Sequence, residues 1–201
     1  MELITGTIAG ATGVYILKKT FDRAPKRNIP EHGIVSPASG KIIAIEKIDP
    51  TNFFFYKKGV RNDLRIPELG RKALMIVIEM NIKDVHVQRS PIDGKVVFSK
   101  HIKGRHKNVI HGKKKKDAVY ENEKQITVIE GGVTNACVIQ VAGFVARRIK
   151  TRVSRGKKVK KGQIIGKISF GSQTILILPN KSRIPCKLGD RVTDGETIIS
   201  N

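Results

Sequence analysis

Two pairs of short echoes constrain this chain more than any other feature. "VSPASGKIIAI" at 35–45 returns as "RSPIDGKVVF" at 89–98, in each case Ser-Pro, two residues, Gly-Lys and an apolar run. "GKKVKKGQIIGKI" at 156–168 returns as "GDRVTDGETIIS" at 189–200, in each case Gly, polar, basic, Val, two residues, Gly and an apolar run. A glycine at the same place in each copy predicts a chain reversal with φ > 0 between short strands. The intervening runs "ALMIVIEM", "ITVIEG", "ACVIQVAGFVA" and "TILILP" are bounded by Gly, Pro, Asn and Asp, and helical periodicity is nearly absent. The chain is read as mostly β.

Paired motifs of this kind resemble the two halves of a barrel-sandwich hybrid, the architecture of biotinyl and lipoyl carrier domains. A carrier displays a lysine at a hairpin tip in a Met-Lys context, and this sequence has none. Its 201 residues suit one folded body, assigned here to 33–201. Residues 1–32 form an N-terminal segment and linker punctuated by Pro25 and Pro30, with Pro37 just beyond. "LITGTIAGATGVYIL" at 3–17 carries no charge and is followed by Lys18, Lys19, Arg23, Lys26 and Arg27. It is shorter than the roughly 20 residues that span a hydrocarbon core, and Glu2 without a basic n-region argues against a secretory signal. A segment lying on or dipping into a cytoplasmic leaflet fits, as does an ordinary buried helix or strand pair.

Lys plus Arg number 39 against 17 Asp plus Glu, a formal charge of +22 that calls for an anionic partner. Nucleic acid and an anionic membrane surface both qualify. The basic stretch 100–117, with lysines at 113–116, reads as a solvated loop. Against nucleic acid stands the lack of interleaved aromatics: these make up 5%, Trp is absent, and "FFFY" at 53–56 stands alone. A non-catalytic basic β module binding nucleic acid or anionic lipid is thus the alternative reading, with no specific nucleic acid expected. Cys137 and Cys186 read as buried reduced thiols, and the histidines at 32, 86, 101, 106 and 111 show no zinc-site spacing, so no metal is expected.

In "GKISFGSQTILILPN" at 166–180, the apolar pattern on either side, with Ile165, Ile168 and Phe170 before and Ile175 and Ile177 after, is broken by Gly171-Ser172. A flexible residue and a small nucleophile stand where a strand favours a packing side chain. Taken alone, such a pair is usually a turn or bulge.

The flanking segments change that reading. "VIQVAGFVARRI" at 138–149, "KKGQIIGKISFGSQTILILP" at 160–179 and "KLGDRVTDGETIIS" at 187–200 resemble the C-terminal half of the short (type A) form of phosphatidylserine decarboxylase, a family that includes archaetidylserine decarboxylases. "MNIKDVHVQRSPIDGKV" at 80–96 resembles its Asp-x-His-x-x-Arg-x-Pro segment, and "ENEK" at 121–124 its Asn-Glu-Arg-Asn segment. The likeness covers roughly 33–201. It implies a cell-membrane enzyme, peripheral on the cytoplasmic face, that cuts itself between Gly171 and Ser172 into a large chain 1–171 and a small chain 172–201.

The resemblance also implies the chemistry. Ser172 attacks the Gly171 carbonyl, and β-elimination followed by hydrolysis turns Ser172 into a covalent pyruvoyl cofactor. The amine of a serine phospholipid, phosphatidylserine or archaetidylserine, condenses with that ketone as a Schiff base, and the headgroup carboxylate leaves as CO₂. His86 is the candidate proton donor or base. Arg147 and Arg148 are candidate phosphate ligands, although adjacent strand residues point to opposite faces, so at most one serves. A homodimer is implied as well. The long form uses an Asp in a Pro-Ala-Asp-Gly motif for self-cleavage; here the motif is Pro37-Ala38-Ser39-Gly40, and Arg89 replaces the second histidine of the long form's segment. The base that activates Ser172 is therefore open, with His86, Asp84 or Asp93 as substitutes, and an inactive relative unable to mature is a further reading.

Overall fold

Two central strands, β5 (Ala73–Met80) and β13 (Ser172–Pro179), carry nearly unbroken apolar runs because both of their faces are covered. The computed structural model describes residues 24–57, 60–81, 83–104, 122–143, 149–168, 172–180 and 183–201. The other strands are β1 (Ile34–Val35), β2 (Gly40–Ile48), β3 (Phe53–Lys57), β4 (Val60–Leu64), β6 (Val87–Arg89), β7 (Gly94–Ile102), β8 (Lys124–Glu130), β9 (Asn135–Val141), β10 (Ile149–Thr151), β11 (Lys158–Val159), β12 (Ile164–Ile168), β14 (Arg191–Val192) and β15 (Ile198–Ser200). The protein is mostly β, as its sequence implies. The apolar stretch 3–17, the lysines 113–116, Arg147, Arg148 and Gly171 lie outside the described residues. Among those described, no helix is long and apolar enough to cross a membrane.

One curled antiparallel sheet runs β11-β7-β8-β9-β13-β5-β2-β14. Ile76, Ile78, Leu176, Leu178 and Val138 line one of its faces and pack under Ile34, Ile92, Ile165 and Ile199. Val77, Ile139, Ile175 and Ile177 line the other and pack under Phe53, Leu64, Ile66 and Leu69. The three-stranded sheet β10-β12-β6 and the β1-β15 pair cover the first face, and the β3-β4 hairpin covers the second. Cys137 is buried and Cys186 half-buried, and neither is in a disulfide.

The sequence echoes correspond to an internal near-symmetry. β14 joins β2 through Val192↔Gly40, and β11 joins β7 through Val159↔Gly94. Ser36 Oγ donates to the Ala38 carbonyl at 2.7 Å, as Ser90 Oγ does to that of Ile92 at 2.6 Å. The Gly195 amide donates to the Ser36 carbonyl and the Gly162 amide to that of Ser90, each at 2.8 Å. Gly162 and Gly195 have φ of 77° and 75°, as expected for reversals. Gly40 and Gly94 differ from that expectation. Their demand is for space, since a Cβ on either would stand 2.2 Å from a carbonyl oxygen, Glu79 or Glu130, of the adjacent strand.

Residues 24–32, read as the end of the N-terminal segment and linker, are tied down. Arg27 pairs with Asp194 at 2.6 Å and Glu196 at 3.6 Å, so it is not free to serve in a membrane-facing basic flank. Ile29 fills the space left by both turn glycines: a Cβ would stand 2.3 Å from its Cδ1 at Gly162 and 3.0 Å at Gly195. The Asn28 amide donates to Glu196 Oε1 at 3.0 Å, and Lys161 Nζ to the Glu31 carbonyl at 2.8 Å.

Candidate active site

Ser172 opens the central strand, paired to Met80 of β5, and is fully buried. Strand alternation puts Ser172 and Thr174 on the face shared with Met80, and Thr174 is opposite Gln140 of β9. Both hydroxyls meet the Met80 sulfur, Ser172 Oγ at 3.7 Å and Thr174 Oγ1 at 3.3 Å. Gln88 Nε2 approaches the same sulfur at 3.6 Å, while Gln88 Oε1 accepts from Gln140 Nε2 at 2.7 Å. Gly166 makes room for that amide, because a Cβ there would come within 2.7 Å of Gln140 Nε2. The described wall around Ser172 is thus polar but uncharged, and its hydroxyl faces a thioether, a weak acceptor.

His86 is stitched to the chain that leads into this wall. Its carbonyl accepts from the Ile168 amide at 3.1 Å, at the end of β12 and four residues before Ser172, and from Gln88 Nε2 at 3.3 Å. Its ring Nδ1 lies 2.6 Å from the Asp84 carbonyl. A carbonyl can only accept, so Nδ1 carries the proton and the neutral ring has its lone pair on Nε2. Burial pushes the His86 pKa below the ordinary 6.5, against the raising effects of the Asp84 carbonyl and the Asp84 charge. A depressed histidine pKa means that the unfolded chain binds a proton near pH 6.5 while the folded one does not. Stability is therefore full above about 6.5 and falls as pH drops toward the lower folded value. Tm measured from pH 7.5 to 5 is expected to decline, and His86→Gln to flatten part of the decline; identical slopes would refute this.

The two other candidate bases, Asp84 and Asp93, are each engaged by other partners. The Asp84 carboxylate accepts from Arg191 Nη2 and, at 2.8 Å, from the Asn81 amide. Asp93 accepts from the Lys161 amide at 3.0 Å and lines a cavity of about 670 Å³ with Val133, Asn135 and Pro179. Pro179 ends the strand that Ser172 begins, so Asp93 serves the opposite end of the sheet. Gly171, Arg147 and Arg148 lie outside the described residues.

Ser39 is explained by the near-symmetry, for it holds the place of Asp93. Each accepts a backbone amide at 3.0 Å from the partner turn, Asp194 to Ser39 Oγ and Lys161 to Asp93 Oδ1. The carboxylate missing from position 39 arrives from across the turn: Ser39 Oγ donates to Asp194 Oδ1 at 2.5 Å, and Arg89 Nε to Asp194 Oδ2 at 2.6 Å. Arg89 also donates to the carbonyls of Gly162 at 2.9 Å and Pro25 at 2.7 Å. Asp194 thus bridges positions 39 and 89, with no solvent exposure of its own.

Sequence reasoning missed Met80, Gln88, Gln140, Thr174 and Asp194. The signal for one of them was present: Gln140 interrupts the apolar run of β9, and a buried amide must find partners.

The sequence profile of the family "Phosphatidylserine decarboxylase" matches residues 19–200. Two archaeal relatives, each named "Putative archaetidylserine decarboxylase proenzyme", are 37% identical. That of Methanothermobacter thermautotrophicus aligns over 90% of this chain and 78% of its own length, and that of Methanocaldococcus jannaschii over 90% and 87%. The "Phosphatidylserine decarboxylase proenzyme" of Chlorobium phaeobacteroides is 33% identical over 98% of this chain and 84% of its own. With matches of this extent joined to the buried serine at the head of β13, the chain belongs to the phosphatidylserine decarboxylase family of carboxy-lyases.

Proposed function

We propose that the protein decarboxylates a serine phospholipid, phosphatidylserine or its ether counterpart archaetidylserine, after cutting itself at Gly171-Ser172 into chains 1–171 and 172–201. The observation that carries this reading is Ser172 itself: fully buried at the start of the central strand, hydroxyl against a sulfur, with His86 bonded to the strand that leads into it. A pyruvoyl group would keep the serine's three carbons, with a ketone oxygen taken from water in exchange for the nitrogen lost as ammonia, and is no larger than the serine. Among the described residues none sets a charge against the buried Ser172 hydroxyl, and such a position accommodates that group.

When formed, the pyruvoyl ketone supplies an electron sink for the substrate amine. The chain's own residues do the rest. Eight paired positions with β5 and five with β9 hold β13, which residue 172 begins, in the middle of the sheet. Met80, Thr174, Gln88 and Gln140 present an uncharged wall. A substrate carboxylate brought against that wall loses hydration that neutral CO₂ never needed, which favours its departure. His86, held neutral by burial and oriented by the Asp84 carbonyl, moves the proton through Nε2. One of Arg147 and Arg148 binds the lipid phosphate. The basic surface and the N-terminal segment bring the site to the cytoplasmic face of an anionic membrane.

Denaturing mass spectrometry tests this directly. Two fragments are expected, the smaller beginning at a blocked residue 172, and borohydride added with substrate is expected to fix the headgroup to that fragment. A single intact 22.3 kDa chain after prolonged incubation would refute it.

A further inference from the structure

The contact between Arg191 and Asp84 has no role in the reaction as described so far, yet it ends on the loop that orients His86. Asp84 closes a turn with Asn81: its amide donates to the Asn81 carbonyl at 3.0 Å, and its Oδ2 accepts the Asn81 amide at 2.8 Å. The second carboxylate oxygen, Oδ1, takes Arg191 Nη2. The same residue's backbone carbonyl receives His86 Nδ1–H at 2.6 Å. One residue therefore joins a guanidinium to the catalytic ring. The carboxylate is 6% exposed and the guanidinium 62%, so the arginine reaches in from the surface to a fixed acceptor. Arg191 is itself held by β14, through its register with Lys41.

We propose that Arg191 is a positioning residue for His86: by fixing the Asp84 carboxylate it fixes the carbonyl that selects the Nδ1–H tautomer and aims Nε2. The proposal rests on the decarboxylase reading above. Under that reading Arg191 belongs to the small chain, while Asp84 and His86 belong to the large one. The small chain then contributes both the reactive residue and the clamp that holds its partner histidine in the other chain.

The test compares native, Arg191→Gln, Arg191→Lys and Asp84→Asn proteins, each matured and assayed on serine phospholipid in mixed micelles. Losing the clamp lets His86 populate misaimed states, and the roughly fivefold loss of rate expected corresponds to about 1 kcal/mol of barrier. Arg191→Gln is expected to lower kcat about fivefold with KM within twofold, Arg191→Lys to restore most of the loss, and Asp84→Asn to match Arg191→Gln. In ¹⁵N-histidine spectra the native His86 ring is expected as the Nδ1–H tautomer, and both kcat-lowering variants as mixtures. The proposal fails if Arg191→Gln keeps kcat within twofold, or loses it while the His86 tautomer stays native. Native protein that never decarboxylates serine lipid refutes the underlying reading instead, and the tautomer comparison, which needs no turnover, still decides whether Arg191 holds His86.

Discussion

Ser172→Ala is expected to give one uncut chain of about the native mass with no decarboxylase activity. The loss is the whole catalytic enhancement, on the order of 10⁶-fold or more, because under the proposed mechanism alanine has neither the hydroxyl that attacks Gly171 nor the leaving oxygen on Cβ whose elimination opens the way to hydrolysis to a ketone. The fold survives the change. Ser172 Oγ meets a thioether at 3.7 Å, so its removal deletes no strong hydrogen bond, and the strand keeps its backbone pairs on both sides. Urea unfolding of the variant is expected within about 1 kcal/mol of the uncut precursor. Gel electrophoresis and mass spectrometry read the cut, and an ethanolamine-lipid assay reads the activity. A Ser172→Ala protein that still yields two fragments would place the scissile bond elsewhere and remove the basis of the mechanism.

The largest expected loss of stability follows from Asp194→Ala. This carboxylate, with no solvent exposure, accepts from Ser39, Arg27 and Arg89, and the Arg89 side chain is only 9% exposed. Removing it leaves Arg89 buried against two carbonyls with no counter-charge, at a cost of about 3–5 kcal/mol. Arg27, at 16%, lies closer to solvent. Since a domain of this kind is stable by roughly 5–15 kcal/mol in all, the shift in the urea midpoint is large. The double variant Arg89→Met with Asp194→Leu removes both charges and is expected to recover much of the loss. If the single variant unfolds within 1 kcal/mol of native protein, residues 24–32 are not held as described. The same loss is expected to slow maturation only in proportion to the unfolded fraction, because the brace does not touch Ser172.

Much of this architecture was legible in the sequence, and the reason is the repetition. Each echo pairs with the other kind: 35–45 meets 189–200, and 89–98 meets 156–168, through Val192↔Gly40 and Val159↔Gly94. Two copies of one solution are easier to see than one. In the candidate site, the sequence marks residues where the proposed chemistry demands a residue type, at Ser172 and His86. The site was illegible where a side chain works by long-range contact. Asp194 is 155 positions from Ser39 and 105 from Arg89, and neither spacing nor periodicity links them. Position 39 shows the difficulty best. As an isolated letter it reads as a lost catalytic acid, whereas the fold gives it the turn-capping task that Asp93 performs in the other copy, with Asp194 supplying the negative charge. Arg27 was likewise assigned by its neighbours in sequence to a lipid-facing flank, and by its neighbours in space to an ion pair.

The central place of β13 has a consequence for the order of events in the life of the molecule. A strand flanked by β5 and β9 cannot be inserted last without opening the sheet, and residues 172–201 also provide β14 and β15, which close against β2 and β1. While the polypeptide is continuous, threading that strand is a unimolecular search. Under the proposed cut at Gly171-Ser172, the same assembly becomes a second-order encounter between separate molecules, dependent on concentration. On that reading the precursor folds with a tether that the mature form lacks. Mature protein denatured and then diluted is for that reason a poor route back to the native form, and its durability rests on how slowly it opens rather than on how readily it re-forms.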